Sequence, residues 1–163
     1  MRFILLDRIL SLESGKSIKA IKNLTIAEEY LGDHFPGFPV MPGVLMLQAM
    51  TEAGAWLIRE KEDFAHSMVV LTEARNIKYG QFLQPGQTMT VEVEQIDETD
   101  EITRFKARGS VNGATTVSGR LTLRRYNLAD QFPSRVETDR ELIEALRRQF
   151  QLLYDPQTSH TEH

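Results

Sequence analysis

A chain of 163 residues, 41% hydrophobic and 26% charged, has the size and balance of one globular domain with its own core. The formal net charge of −4 and the lack of a basic stretch interleaved with aromatics argue against a nucleic-acid binder, and the absence of cysteine excludes disulfides, thiolate zinc sites and cysteine nucleophiles. The apolar run at the N-terminus meets a charge at Asp7, too early for a signal peptide, and the longest apolar run is broken by Gln48 and Glu52, so no membrane span is expected and the expected location is cytoplasmic.

Residues 3–10 form an apolar segment too short for its period to classify. From Lys16 to Ile26 apolar and polar residues alternate, which predicts a strand. Glu28 to Asp33 is a turn-rich approach to His34-Phe35-Pro36-Gly37-Phe38-Pro39-Val40-Met41-Pro42-Gly43. Proline fixes φ and glycine opens φ > 0, so this composition predicts a rigid, non-repetitive loop. The following run, Val44 to Ile58, is apolar on nearly every face and predicts a buried helix over about Gly43 to Lys61. Pro42 and Gly43 stand at its start, where unpaired N–H groups point outward. A histidine loop running into a helix N-terminus places a candidate base beside a candidate oxyanion donor.

Ser67–Thr72 and Ala74–Tyr79 read as two strand-like pieces, and Pro85-Gly86 as a turn. Thr88–Glu94 alternates with Met89, Val91 and Val93 on one face, and Thr103–Val111 with Phe105, Ala107 and Val111 inward. Asn112-Gly113 is a strong hairpin signal, and Thr115–Leu123 returns in matching alternation. A buried helix followed by an antiparallel meander predicts an α+β domain over residues 1–126. Residues 127–163 form an extension. It begins as an extended connector over Asn127–Val136, and Thr138 and Glu141 have the spacing of a capping box. Leu142, Leu146, Gln149, Phe150 and Leu153 then follow at helical spacing until Asp155-Pro156, which suits a helix docked on the body or on another subunit. His160 and His163 lack the companions a metal site needs.

His34–Met50 resembles the FabZ/FabA-type 3-hydroxyacyl-acyl-carrier-protein dehydratases, closest to FabZ, which carry H-F-P-G-x-P-[IV]-[MF]-P-G-V-L followed by an acidic residue and A-M. Leu5-Leu6-Asp7-Arg8, Gly15-Lys16, Ala20-Ile21-Lys22-Asn23 and Pro85-Gly86 extend the likeness over residues 2–125. The resemblance implies a hot-dog fold, an antiparallel sheet wrapped around one long helix, paired in a dimer or trimer of dimers with the active site between subunits. It implies removal of water from a 3-hydroxyacyl thioester of acyl-carrier protein or coenzyme A. That reaction requires a base for the α-proton, a donor to the thioester oxygen as enolate charge develops, and an acid for the departing hydroxyl. Histidine ordinarily titrates near neutrality, so His34 suits the base. The Gly43 amide, at the positive end of the helix, suits the donor. Phe38, Pro42 and Val44 would border the acyl group, with Phe38 and Met41 as candidate gates.

The position of the family's catalytic carboxylate, fourteen after the histidine, is Gln48 here, and Glu52 stands one turn on, where FabZ proteins usually carry glutamine. A glutamine amide holds a hydroxyl or a water by a hydrogen bond but cannot hand over a proton. Three readings follow. Glu52 serves as the acid from a shifted position; or the protein hydrolyses or merely binds acyl thioesters; or it supports an active partner as a non-catalytic subunit. The intact loop and His34 favour a dehydratase over a hot-dog thioesterase. No metal or organic cofactor is implied by any reading. Trp56 and Met46 read as core or interface and His66 as surface, while Asn76, Lys78, Arg104, Lys106 and Arg108 are candidates to meet an acidic carrier protein or the phosphate of a pantetheine arm.

Overall fold

The computed structural model describes residues 4–157, so His160 and His163 lie outside the described residues. Six strands form one antiparallel sheet in the order β1-β2-β4-β5-β6-β3, and a 19-residue helix, α1 (Gly43–Lys61), packs across it. The strands are β1 (Arg8–Glu13), β2 (Ser17–Asn23), β3 (Met68–Tyr79), β4 (Thr88–Glu98), β5 (Ile102–Val111) and β6 (Ala114–Tyr126). The alternation of β2, β4 and β5 sends Ile18, Ala20, Met89, Val91, Val93, Phe105 and Ala107 into the core, where they meet Ala49, Met50, Ala53 and Leu57 of α1. Burial of this face, at about 25 cal/mol per Å², is the main force holding helix to sheet. The β5–β6 hairpin turns at Asn112 (φ 50°) and Gly113 (φ 81°), the left-handed pair that a tight turn between twisted strands requires.

One residue breaks the pattern of β2. Lys22 occupies an inward position and is only 5% exposed. Its ammonium donates to the Glu28 carboxylate, which also accepts the Tyr30 hydroxyl. Burial first, and then Glu28, holds the Tyr30 proton well above the usual phenol range. The trio ties β2 to the 3-10 turn at Glu29–Gly32 that leads directly to His34.

Three local expectations need correction. The two strand pieces around residue 73 are one strand, because bulges between Leu71 and Glu73 and between Arg75 and Lys78 absorb the breaks in register against β6. The segment over 127–136 is not extended: it folds into 3-10 turns at Leu128–Asp130 and Pro133–Arg135. The C-terminal helix α2 starts at Val136, ahead of the presumed capping box, and has no side-chain cap. Asp139 instead turns inward, where it accepts the Ser67 hydroxyl and the amides of Leu128 and Ala129, the latter two at 2.9 Å each.

α2 (Val136–Leu153) lies against α1. Phe150 packs on Trp56 and Phe64, with ring centroids 5.7 and 5.6 Å away, and Arg147 reaches both the Asp63 carboxylate and its carbonyl. The helix stops at Tyr154, two residues before Pro156. At the far side of the sheet β3 is an edge strand with one hydrogen-bonding side unoccupied in the single chain. No helix among the described residues is long and apolar enough to cross a membrane.

Candidate active site

The loop between the 3-10 turn and α1 is closed by its own backbone. Phe35 and Phe38 exchange amide–carbonyl bonds of 3.1 and 3.0 Å, the Val40 amide donates to the His34 carbonyl at 3.0 Å, and the Met41 amide donates to Leu83 at 2.9 Å. The His34–Phe35 peptide is cis. His34 Nδ1 lies 2.9 Å from the Val40 carbonyl oxygen. A carbonyl only accepts, so Nδ1 carries the hydrogen and the neutral ring presents Nε2 as a lone-pair acceptor. The ring stacks on Phe35 at 4.2 Å between centroids, which fixes its plane. His34 is half-buried, so Nε2 has both a fixed direction and access.

Val40 and Met41 are anchored in the core, and two residues later α1 begins. The Pro42 carbonyl accepts the Leu45 and Met46 amides, while the amides of Gly43 and Val44 have no backbone acceptor among the described residues. They are the open donors of a helix N-terminus. The Tyr79 ring, at the end of β3, lies over Gly43 so closely that an added Cβ would come within 2.7 Å of it. Glycine is therefore required for packing at this point as well as for access to its N–H. Around this end of α1, Phe35, Phe38, Val44, Tyr79 and Phe82 are all exposed, with Phe38 and Phe82 in edge contact at 5.6 Å. Such a cluster around an open helix terminus has the character of a contact surface.

The loop thus places His34 and Gly43 at one end of α1. Phe38, Pro42 and Val44 border the same end, but Met41 is only 2% exposed, so it is a core residue and not a gate. Gln48 and Glu52 lie elsewhere. By the rise of an α-helix they stand about 7.5 and about 13.5 Å along the axis from Gly43. They line a cleft of about 360 Å³ between α1 and α2, together with Trp56 and Arg59. Gln48 is exposed. The Glu52 carboxylate is engaged: it accepts the Leu5 amide at 3.1 Å and the Leu6 amide at 3.1 Å. Burial pushes its carboxyl from 4.5 up to about 7, although those amides, Lys22 and Arg59 all pull the other way.

The candidate carrier-binding residues do not form one basic face. On the outer side of the sheet Lys106 is flanked by Glu94, Arg108 by Glu92, and Arg104 pairs with Asp97 at 2.7 Å. Trp56 and Met46 are buried, and His66 is half-buried with Nδ1 2.9 Å from Glu62. Two residues of the region escaped the sequence. Tyr79 approaches Gly43 across 36 positions, which no local pattern encodes. Arg59 reads as a favourable cation in the last turn of a helix, yet it is half-buried and its Nε is enclosed without a partner.

An open antiparallel sheet around a long central helix, with a histidine loop feeding that helix, defines the hot-dog class of acyl-thioester proteins. The family model described as "FabA-like domain" matches residues 1–120. The chain is 39% identical over 119 residues to the 3-hydroxyacyl-[acyl-carrier-protein] dehydratase FabZ of Caldicellulosiruptor saccharolyticus, which covers 73% of this chain and 85% of that one. It is 37% identical over 135 residues to the FabZ of a Janthinobacterium species, covering 80% and 86%. Among solved structures, the dehydratase heterocomplex ApeI:P from Xenorhabdus doucetiae superposes with a TM-score of 0.63 at 16% identity, over 80% of this chain and 88% of that one. The chain belongs to the FabA-like family, within its FabZ-type dehydratases. The matched region ends before α2.

Proposed function

We propose that this chain is a 3-hydroxyacyl-thioester dehydratase of fatty-acid or related acyl synthesis, acting on acyl-carrier-protein substrates, with His34 and the Gly43 amide as its reacting groups. The observation that carries the reading is the Nδ1–Val40 bond, which leaves Nε2 free on a rigid loop beside an open helix terminus. The thioester oxygen accepts from Gly43 N–H, and Nε2 removes a proton from C2. As the enolate collapses, the C3–O bond breaks and the oxygen leaves as water, giving the trans-2-enoyl thioester.

The proton for that water comes from the imidazolium that has just formed. Gln48 has none to give, and Glu52 is bound to the Leu5 and Leu6 amides one turn further along α1. A single base that takes the C2 proton and delivers it to the leaving hydroxyl balances without a second acid. The Gln48 amide donates a hydrogen bond to the hydroxyl or to the departing water. The free edge of β3 and the exposed aromatic cluster suit a homodimer, in which the exposed Gln48 faces the other copy.

The test is release of enoyl product from a 3-hydroxyacyl thioester by wild type and by Gln48→Glu, each also checked for free thiol. We expect slow turnover by wild type, no thiol release, and a gain of about 10²-fold from the added carboxylic acid. With one catalytic ionisation the wild-type kcat/KM rises with pH to a plateau, whereas the variant acquires a descending limb. A silent wild type with an active Gln48→Glu would identify a disarmed subunit, and thiol release a thioesterase.

A further inference from the structure

The cleft between α1 and α2 contains a cation with no hydrogen-bonded partner among the described residues. Arg59 makes no hydrogen bond or ion pair among the described residues; its guanidinium rests on the Trp56 ring at 5.1 Å, and its buried Nε has no partner. Burial lowers its ordinarily very high pKa to about 10, with Glu62 and Glu52 acting against that shift, so it remains charged at neutral pH. Arg59 is half-buried as a residue, but a buried donor left unfilled, as its Nε is, is unfavourable unless something accepts from it. Apolar walls come from Ile4, Trp56, Leu142 and Leu146; Glu52, already bound by the Leu5 and Leu6 amides, Ser67 and Gln149 complete the lining, and Gln48 lies toward the other end. Gln48 and Arg59 are separated by about 16 Å along the helix.

We propose that this cleft binds a single-chain aliphatic carboxylate, with its head group on Arg59 and its chain running along α1 toward Gln48. A guanidinium and a carboxylate match as a planar two-bond pair. One cation beside a glutamate suits a monoanion and disfavours a phosphate dianion. The volume of about 360 Å³ accommodates a medium-length chain. One wall of the site, Leu142, Ala145, Leu146 and Gln149, belongs to α2, beyond the region matched by the family model, so the site depends on the appended helix. It does not use His34 or Gly43 and does not rest on the dehydratase reading, although its far end reaches Gln48, which that reading also uses.

The probe is decanoate, titrated calorimetrically into the full chain, with 1-decanol as the uncharged control. Wild type binds decanoate at least tenfold more tightly than decanol. Arg59→Met reduces decanoate affinity at least tenfold, and Ala145→Trp, which fills the cleft from the α2 side, does the same. His34→Ala binds as wild type does. Circular dichroism establishes that each variant is folded. Failure of wild type to bind, equal binding of decanol, or decanoate affinity unchanged in both cleft variants overturns the proposal.

Discussion

The start and the middle of α1 use polar groups in opposite ways. At Gly43 the helix terminus leaves amides without acceptors, and the loop before it holds His34 by Nδ1 so that Nε2 stays open. At Glu52 the carboxylate has taken two backbone amides from the N-terminal segment and fixes Leu5 and Leu6 against the helix. A group whose hydrogen-bonding capacity is filled by backbone has little left for a substrate. The difference teaches that moving a carboxylate by one turn relocates a charge and also changes its work. At position 48 it would face an open surface, whereas at position 52 it joins chain to chain.

The comparison breaks most visibly at the open end. His34→Ala is expected to lower kcat/KM for dehydration by about 10³-fold, the scale of a lost proton-transfer group, while the unfolding midpoint in urea stays close to wild type. If stability fell instead and turnover persisted, His34 would be a structural residue. Gly43→Ala pushes a methyl group into the Tyr79 ring, 2.7 Å from the new carbon. It is expected to lower kcat by about 10²-fold through displacement of the oxyanion donor. Adding Tyr79→Ala should recover part of that loss, because it removes the clash and leaves the N–H in place; no recovery would mean that the ring is irrelevant.

How much of this was legible depended on whether the signal was local. The bounds of α1 could be read from residue types because proline, glycine and an all-round apolar run mark them directly, and the inward faces of β4 and β5 followed from alternation. The bulges of β3 were illegible, since they answer to register against residues of β6 far away in the sequence, such as Leu123 opposite Leu71 and Arg120 opposite Arg75. Thr138-Asp139-Arg140-Glu141 misled for a related reason: spacing alone suggested a cap at Thr138, but the 3-10 turn at Pro133–Arg135 runs into a helix that has already begun at Val136. At the site, His34 and Gly43 were legible through the loop. The fate of Glu52 was not, because nothing local tells that Leu5 and Leu6 end beside it.

The engaged end of the comparison is testable through pH. The folded Glu52 carboxyl sits near 7 against an ordinary 4.5, so its proton is held more tightly in the folded chain than in the unfolded one. Its contribution is therefore full below about pH 4.5 and is lost as pH rises toward 7, by about 3 kcal/mol across that window. Glu52→Gln keeps one oxygen for the Leu5 and Leu6 amides and cannot ionise. Urea unfolding at pH 5, 6, 7 and 8 should show wild type losing stability relative to this variant, with the gap constant above pH 8. A gap that does not change with pH would show that the amides and Lys22 hold the carboxylate ionised throughout.

Asp139 supplies the contrasting case, with a smaller effect. It too is a buried carboxylate joining segments, here α2 to the turn after β6 and to Ser67. Burial raises its pKa, but the Ser67 hydroxyl and the Ala129 and Leu128 amides together outweigh it and hold the carboxyl below its ordinary range. The sign reverses: its contribution is present above the unfolded pKa and is lost as pH falls. Asp139→Ala should destabilise the chain by about 2 kcal/mol at pH 7, with the deficit shrinking below pH 4, where wild type also loses the charge. Amide exchange should quicken first in α2 and at Leu128 and Ala129 while the α1 core keeps its protection. Uniform acceleration through α1 would mean that the appended helix and the sheet unfold as one unit.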